Sequence, residues 1–219
     1  MPYSYGNIKI SWLGHDAFRL KNSKIIYFDP YEISSGDKAD IILITHEHFD
    51  HMSINDIKKI ADQHTLIVAP SICGNELKRL KVKEVKLVKP GDKMNIENVE
   101  ISAIPAYNVN KFRSPGRVFH PKEDGRVGYI IIFDGVKIYH AGDTDLIPEM
   151  KDLQPDIALI PVSGTYVMTA DEAAEAIKII KPKIAIPMHY GSIVGSISDA
   201  NRFKELAKNV EVIILQKER

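Results

Sequence analysis

Short runs of apolar and β-branched residues, separated by turn residues, recur along most of the chain and predict a fold rich in β-strands. The runs at residues 41–44 and 66–69 are apolar throughout, which is typical of strands buried on both faces. The first three runs predict a meander. The predicted strands are residues 8–12, 17–20, 24–28, 41–44, 66–69, 84–88, 93–96, 99–104, 128–133, 136–140, 156–161, 184–188 and 210–215.

Four other segments predict helices, two of them through a clear start signal. Ser53 is a predicted N-cap, and the isoleucines that follow it fall on one helical face. Thr169 and Glu172 have the spacing of a capping box. The predicted helices are residues 53–63, 71–80, 198–208 and the segment from Thr169 to residue 180.

Two connections also stand out in the pattern. Asp134-Gly135 predicts a type I′ turn that joins residues 128–133 and 136–140 in a hairpin. Residues 105–127 are the longest stretch without a periodic pattern, and loops of this length within a compact domain are usually functional or disordered.

The two halves of the chain resemble each other in the order of their elements. Residues 24–29 parallel residues 137–143, and residues 39–44 parallel residues 155–160. A third pair, residues 66–70 and 184–187, follows at nearly the same offset, although short apolar strands also resemble one another by chance. This internal similarity predicts an α/β fold with one sheet in each half. The two mixed sheets would stack, with helices on their outer faces, into a four-layer αββα sandwich.

Composition limits the classes of protein and partner. A chain of 219 residues that is 44% hydrophobic predicts a single domain over residues 1–219. With 29 basic and 29 acidic side chains, no overall charge favours nucleic acid or an anionic membrane. The single cysteine, Cys73, excludes an intrachain disulfide and, with no signal peptide or membrane-spanning run, predicts a cytoplasmic protein. The sequence leaves the oligomeric state open, with a homo-oligomer among the alternatives.

The densest cluster of chemically active side chains is the segment of residues 45–51, Thr-His-Glu-His-Phe-Asp-His, which directly follows a predicted buried strand. Core packing does not require three imidazoles and two carboxylates within seven residues. His46 and His48 can point the same way on extended chain, whereas Asp50 and His51 fall where the chain turns. The segment therefore predicts ligands for two adjacent ions, and imidazole with carboxylate suits zinc, manganese or iron rather than calcium.

The pattern His46-x-His48-x-Asp50-His51 resembles the signature of the metallo-β-lactamase superfamily, hydrolases with an αββα sandwich and one or two metal ions. The resemblance covers nearly the whole chain. It includes Gly14-His15 and three further motifs: Tyr-Phe-Asp-Pro at residues 27–30, His-Ala-Gly-Asp-Thr-Asp at residues 140–145 and Pro-Met-His-Tyr-Gly at residues 187–191. Within the superfamily, the chain is similar to the branch related to L-ascorbate-6-phosphate lactonase.

The resemblance implies roles for residues in these further motifs. Asp143 would be the bridging ligand, since a carboxylate has two oxygens to share and Gly142 allows close approach of the backbone. His189 would complete the shell of the second ion with Asp50 and His51. Asp29 would orient a ligand histidine rather than bind metal. The expected cofactors are two divalent ions, zinc or manganese.

The third ligand of the first ion is where this sequence departs from the family pattern. Most members have a histidine shortly after the strand that corresponds to residues 99–104, but this chain has Asn108 there. A neutral amide oxygen binds zinc or manganese more weakly than an imidazole does. We expect His120, in the same long loop and followed by Pro121, to be the ligand. Asn108, a shell completed by water, or a site with one full ion are the alternatives.

The substrate is less sharply indicated. The segment of residues 107–127 carries five basic side chains against two acidic ones, which favours a small anionic substrate and selects Arg113 and Arg117 as binding residues. A solvated loop face explains the same charges. His15 is a further candidate for substrate contact, although a lone histidine near a strand is more often structural.

These features together predict a metal-dependent hydrolase. A metal lowers the pKa of bound water toward neutrality and so provides hydroxide, with Asp50 as acceptor of the remaining proton. An ester, a lactone or a phosphodiester is the expected bond. A non-catalytic metal-binding or sensing module with the same fold is the alternative. The short length disfavours a nuclease with an inserted domain or a glyoxalase II relative with a helical extension.

Overall fold

Each half of the chain folds around its own mixed sheet of seven strands. The computed structural model describes residues 2–218, which form two compact units. The first unit runs up to Lys89 and takes in the chain from Leu215 onwards, and the second unit is Pro90–Ile214. One sheet in each half is what the internal similarity of the sequence predicted.

The sheet of the first unit changes from antiparallel to parallel pairing partway across. Its strands, in spatial as well as chain order, are β1 (Tyr3–Tyr5), β2 (Ile8–Gly14), β3 (Ala17–Lys21), β4 (Ile25–Phe28), β5 (Ile41–Leu43), β6 (Leu66–Pro70) and β7 (Glu84–Val88). Strands β1 to β4 are antiparallel neighbours, and β4 to β7 are parallel ones. The helices α1 (Ile54–Ile60) and α2 (Gly74–Leu77) lie in the crossovers that parallel pairing requires.

The second unit has the same change of pairing. Its elements are β8 (Lys93–Ile96), β9 (Val99–Pro105), β10 (Phe112–Ser114), β11 (Arg117–Val118), β12 (Val127–Phe133), β13 (Val136–His140), β14 (Ile157–Pro161), α3 (Ala170–Ile180), β15 (Ile184–Met188), α4 (Ile197–Leu206) and β16 (Glu211–Val212). The sheet order is β16-β15-β14-β13-β12-β9-β8, and β10 with β11 forms a separate hairpin. Pairing is antiparallel from β8 to β13 and parallel from β13 to β16.

Strands β4 and β13 occupy equivalent positions in the two sheets. Each has one antiparallel neighbour and one parallel neighbour. Asp29 follows β4 and Asp143 lies shortly after β13, so these two aspartates come at corresponding strand ends, as the internal similarity of residues 24–29 and 137–143 predicted. Because the carboxyl ends of neighbouring parallel strands meet at one sheet edge, side chains that follow β4 and β5, or β13, β14 and β15, are brought together within their unit.

Local start and turn signals were predicted correctly. Thr169 and Glu172 form the capping box of α3, and the Ser53 hydroxyl accepts a hydrogen bond from the backbone N–H of Asp56 at the start of α1. Asp134 and Gly135 both have positive φ, 48° and 78°, as a type I′ turn requires.

Helix lengths were predicted less well. The segment 71–80 is a 3-10 turn, Ser71–Cys73, followed by the single helical turn α2, because Pro70 at its start supplies no side-chain cap. Helix α1 ends at Ile60 rather than at residue 63. The backbone N–H of Ala39 donates to the carbonyl of Ile60, and Ala61 is extended.

The long patternless segment, residues 105–127, is ordered by a hairpin that the sequence did not predict. Strands β10 and β11 flank Gly116, whose φ is 73°, and a 3-10 turn, Lys122–Asp124, follows. Both strands are too short to give a periodic signal. The predicted strand 210–215 is likewise reduced to β16, because the chain from Leu215 onwards belongs to the first unit, where the N–H of Glu218 donates to the carbonyl of Trp12.

Within residues 2–218, the longest helix has 11 residues, and no helix combines the length and the apolar character needed to cross a membrane.

Candidate metal centre

Asp29 lies at the centre of a buried hydrogen-bond network that fixes the start of the 45–51 segment. Its Oδ1 accepts the backbone N–H of Thr45 at 2.7 Å, and its Oδ2 accepts the Thr45 hydroxyl at 2.5 Å. The same Oδ2 lies 2.8 Å from Nδ1 of His51. All three side chains are fully buried. A carboxylate at Nδ1 holds that nitrogen protonated, so Nε2 of His51 is the atom with a lone pair to offer.

His46 and His48 present adjacent ring nitrogens in the same segment. Nε2 of His46 lies 3.0 Å from Nδ1 of His48, and the Thr45 hydroxyl contacts Nδ1 of His46 at 3.0 Å. Two donors bound to one ion at about 2.0–2.1 Å lie roughly 3–3.5 Å apart, depending on the angle between them. The separation of the two imidazole nitrogens therefore fits a pair of ligands on one ion.

Asp50 faces His15 and His51. Its Oδ2 lies 3.1 Å from Nε2 of His15 and 3.7 Å from Nε2 of His51. His51 Nε2 is also 3.5 Å from Oδ2 of Asp16, a buried carboxylate. The ligand atoms of His15, Asp16 and His51 all lie within 4.8 Å of one another. His15 is completely buried and contacts Asp50, so the predicted contact of His15 with substrate stays a prediction.

In the second unit, each oxygen of Asp143 faces one histidine. Oδ2 lies 3.6 Å from Nε2 of His120, and Oδ1 lies 3.4 Å from Nε2 of His189. The three side chains are almost fully buried. The Ser163 hydroxyl contacts Nδ1 of His189 at 2.9 Å and so orients this ring. These separations suit a carboxylate that shares its oxygens between two ions, each with a histidine ligand.

Asn108 uses its amide inside the protein. Its Oδ1 accepts the backbone N–H of His120 at 2.9 Å, and its Nδ2 donates to the Tyr166 carbonyl at 2.8 Å and to Asp145 at 3.2 Å. Its only metal-binding atom is thus engaged with His120 itself. This geometry favours His120 over Asn108 as the ligand.

The basic side chains of residues 107–127 are mostly paired. Lys111 lies 2.7 Å from Glu172, Lys122 lies 2.7 Å from Glu149, and Arg126 lies 3.3 Å from Asp124. Arg113, on β10, and Arg117, on β11, are exposed on the hairpin. The excess of positive charge that suggested an anionic substrate therefore depends on these two arginines.

The pKa values of two carboxyl groups beside this loop follow from the same pairs. Burial alone would raise the pKa of Glu172, but hydrogen bonds from Lys111, the Thr169 backbone and Asn110 outweigh it and hold the pKa below its ordinary value. The pKa of Glu149 is lowered in the same way: burial alone would raise it, but the hydrogen bonds from Lys122, from the Glu149 backbone and from Tyr107, with the charge of Lys122, together outweigh that effect. Both groups therefore stay anionic at neutral pH.

Tyr190, next to His189, is a neutral phenol at physiological pH, because burial raises its pKa to about 12. It therefore adds no negative charge beside His189.

Four residues of these networks were not predicted from the sequence. Thr45 and Ser163 contact the predicted ligands His46 and His189, Asp16 faces His51, and Asp145 accepts the backbone N–H groups of Val109 and Asn110. Thr45, Ser163 and Asp145 follow closely on predicted strands, which was a usable signal, and Asp16 adjoins the Gly14-His15 pair.

The donor set fits divalent transition metals. Imidazole nitrogens and carboxylate oxygens suit zinc, manganese or iron, and the partners of His51 and His189 fix the orientation of each ring. Ligand-type side chains with these separations occur in both units.

Comparison with known proteins identifies the family. The sequence matches the family described as β-lactamase superfamily domain over residues 9–189, a range that contains every predicted ligand. The UPF0173 metal-dependent hydrolases of Archaeoglobus fulgidus and Thermoplasma acidophilum are 32% and 35% identical to this chain over 95% of its length, and 96% and 95% of their own.

A solved structure supports the same assignment. The crystal structure of a protein from Parabacteroides distasonis, assigned to the metal-dependent hydrolases, is similar with a TM-score of 0.80 and 34% identity, covering 99% of both chains. The predicted fold class is thereby confirmed. The chain has the metallo-β-lactamase fold and belongs to the UPF0173 metal-dependent hydrolases of the metallo-β-lactamase superfamily.

Proposed function

We propose that this metal-dependent hydrolase cleaves an ester, lactone or phosphodiester bond in a small anionic substrate with the help of two zinc or manganese ions. The observation that carries the proposal is the arrangement of Asp143, whose two oxygens each face the Nε2 of a different histidine, His120 or His189. A carboxylate that bridges two ions holds them as a pair, which is the arrangement that acts on both the attacking and the leaving oxygen of a hydrolysed group.

The side chains that would hold the ions are His46, His48, Asp50, His51, His120, Asp143 and His189. When bound, divalent ions lower the pKa of water toward neutrality and polarise the oxygen of the scissile carbonyl or phosphoryl group. Asp29 keeps His51 in the tautomer with a lone pair on Nε2, and Ser163 orients His189.

Asp50 is the proposed proton acceptor. Its carboxylate lies within hydrogen-bond reach of His15, at 3.1 Å, and its side chain is 14% exposed, so it is buried enough to be held in place and open enough to meet water. A carboxylate so placed takes the second proton of the attacking water as the new bond forms. His15, which contacts Asp50, is proposed to contact the substrate as well.

The choice of bond follows from the resemblance in sequence to the branch related to L-ascorbate-6-phosphate lactonase, which favours a lactone or another ester in an anionic molecule. The two exposed arginines of the β10–β11 hairpin support the anionic character. The balanced charge of the chain offers nucleic acid no general attraction, which favours a small molecule. A homo-oligomer is compatible with this proposal.

The proposal is tested by metal analysis of the purified protein and by hydrolysis assays with lactones, carboxylic esters and bis(p-nitrophenyl) phosphate. We expect two ions per chain and turnover of at least one substrate class. A chelator should abolish that turnover, and zinc or manganese should restore it. Two bound ions without turnover of any class would instead favour a non-catalytic metal-binding or sensing module.

Reversal of charge on the hairpin tests the anionic substrate. Arg113→Glu or Arg117→Glu should raise KM for an anionic substrate by roughly 3- to 5-fold, because an exposed charge pair contributes at most about 1 kcal/mol. KM for a neutral ester should stay within about 2-fold, since that substrate carries no charge for the arginine to attract. Arg79→Glu, at an exposed arginine beyond α2, is the matched control. Equal changes for both substrates would leave the hairpin without a role in recognition.

A further inference from the structure

Asn108 is a buried residue whose side-chain oxygen and nitrogen are both hydrogen-bonded inside the protein, next to the proposed ligand His120. It follows β9 and is 4% exposed. An asparagine side chain offers one carbonyl oxygen and two N–H groups. The oxygen accepts the backbone N–H of His120, and the amide nitrogen donates to the carbonyl of Tyr166 and to the carboxylate of Asp145. The backbone N–H of Asn108 donates in turn to the carbonyl of His120 at 2.8 Å.

Asn108 thus holds His120 through both of that residue's backbone polar groups. The pair of bonds resembles one rung of a sheet, formed here between two loop residues 12 positions apart. Because both of these bonds restrain the backbone of His120, they also restrict the position of its ring. Its Nε2 stands 3.6 Å from Oδ2 of Asp143.

The hydrogen bond from the Asn108 amide nitrogen to the Tyr166 carbonyl fixes the backbone of a strained residue. Tyr166 has a φ of 68°, in the left-handed region that an aromatic residue rarely adopts. Its ring packs edge-on against Phe119, with the ring centroids 4.7 Å apart, and Phe119 directly precedes His120. Two contacts therefore hold residues 119–120. The Asn108 oxygen bonds the backbone of His120, and the Tyr166 ring, whose own backbone is bonded by the Asn108 nitrogen, packs against Phe119.

Asp145 anchors Asn108 itself. Its carboxylate is 1% exposed and accepts the N–H groups of Val109 at 2.7 Å and Asn110 at 2.9 Å, besides the Asn108 amide. Because Asp145 lies two residues after Asp143, this anchor ties the loop that carries His120 to the loop that carries the carboxylate facing it.

We propose that Asn108 is a positioning residue, which sets the distance and direction of His120 relative to Asp143 and thereby tightens the binding of one metal ion without touching that ion. The inference deepens the proposed function, since it takes His120 as a ligand. Removal of partners that orient a metal ligand typically costs about 10- to 100-fold in metal affinity. Neither alanine nor aspartate at position 108 offers the N–H groups that Tyr166 and Asp145 accept.

The test compares Asn108→Ala, Asn108→Asp and His120→Ala with the wild type. Metal stoichiometry of the purified protein and zinc affinity from competition with a chromophoric chelator are measured, together with thermal unfolding of the metal-free protein. We expect both Asn108 variants to bind two ions when zinc is in excess, with about 10- to 100-fold weaker binding of one of them. His120→Ala should bind only one ion at any zinc concentration used.

Asn110→Ala is the matched control, because Asn110 lies in the same loop but its side chain bonds to Glu172 on α3 instead of to His120. It should keep wild-type zinc affinity. A purely structural role for Asn108 would lower the unfolding temperature and leave zinc affinity unchanged, and wild-type affinity in both Asn108 variants would overturn the proposal. Complete loss of one ion in Asn108→Ala would also overturn it, since Asn108 would then be a ligand.

The two levels of inference fail differently in this experiment. If His120→Ala retains both ions, the proposed ligand set is wrong, whatever the Asn108 variants do. If His120→Ala loses an ion and both Asn108 variants bind zinc as the wild type does, only the positioning role is wrong.

Discussion

Asp143→Ala is expected to abolish metal-dependent hydrolysis, lowering kcat/KM by more than about 1,000-fold, which corresponds to roughly 4 kcal/mol of transition-state stabilisation. Each Asp143 oxygen faces a different histidine, so one substitution removes a ligand from both proposed ions. Metal content should fall with the activity. The fold should survive, because Asp143 lies in the loop after β13 rather than among the apolar side chains of the sheet.

Circular dichroism and metal analysis separate this outcome from unfolding. The matched control is Asp171→Ala, at an exposed aspartate of α3 that pairs with Arg202 on the surface. Exposed pairs of this kind contribute little, so metal content and kcat/KM should stay at the wild-type level. Retained activity in Asp143→Ala would show that the assignment of the metal centre is wrong. His48→Ala should have the same effect on activity if the assignment is right.

Asp29→Asn is expected to lower metal affinity and kcat/KM by about 10- to 100-fold, although Asp29 is not one of the proposed ligands. The Oδ2 of Asp29 accepts from both the Thr45 hydroxyl and His51 Nδ1. An amide group in that place donates a proton toward Nδ1, so the neutral His51 ring would carry its own proton on Nε2, the atom proposed to bind metal. The amide also disturbs a fully buried network, which we expect to destabilise the protein by about 1–3 kcal/mol.

Thermal unfolding with and without zinc, together with zinc affinity, tests this expectation. Asp40→Asn is the control, since Asp40 lies just before β5, the strand that leads to Thr45, and accepts the backbone N–H of Ile25 away from His51. It should affect stability alone. Unchanged metal affinity in Asp29→Asn would mean that the tautomer of His51 is set by other contacts.

Much of the architecture could be predicted from the pattern of the chain. Short, fully apolar runs such as residues 41–44 and 184–188 are typical of strands buried on both faces. Asp134-Gly135 is a dipeptide that favours the type I′ turn found there. Helix length was predicted poorly at residues 71–80. Whether a short segment continues as a helix depends on its packing, and the residues that begin its two turns, Pro70 and Cys73, make no side-chain cap hydrogen bond.

The residues of the candidate site could likewise be predicted from the sequence only in part. The histidines and aspartates of residues 46–51 could be selected from the sequence, because so many ligand-type side chains at a strand end have no structural explanation. The choice between His120 and Asn108 could not be made with the same strength. Both residues lie in a loop without periodicity, and the sequence does not say which of them turns its side chain toward Asp143.

The predicted metal-binding chemistry rests on residue types alone, since imidazole and carboxylate groups bind transition metals wherever the fold places them. The hydrogen-bond partners of these groups depend instead on contacts between distant parts of the chain. Asp29 meets Thr45 and His51 because β4 and β5 are parallel neighbours whose ends meet, and Asn108 meets His120 and Tyr166 because three loops converge. Such contacts join residues 12 to 58 positions apart, and no local pattern of the chain records them.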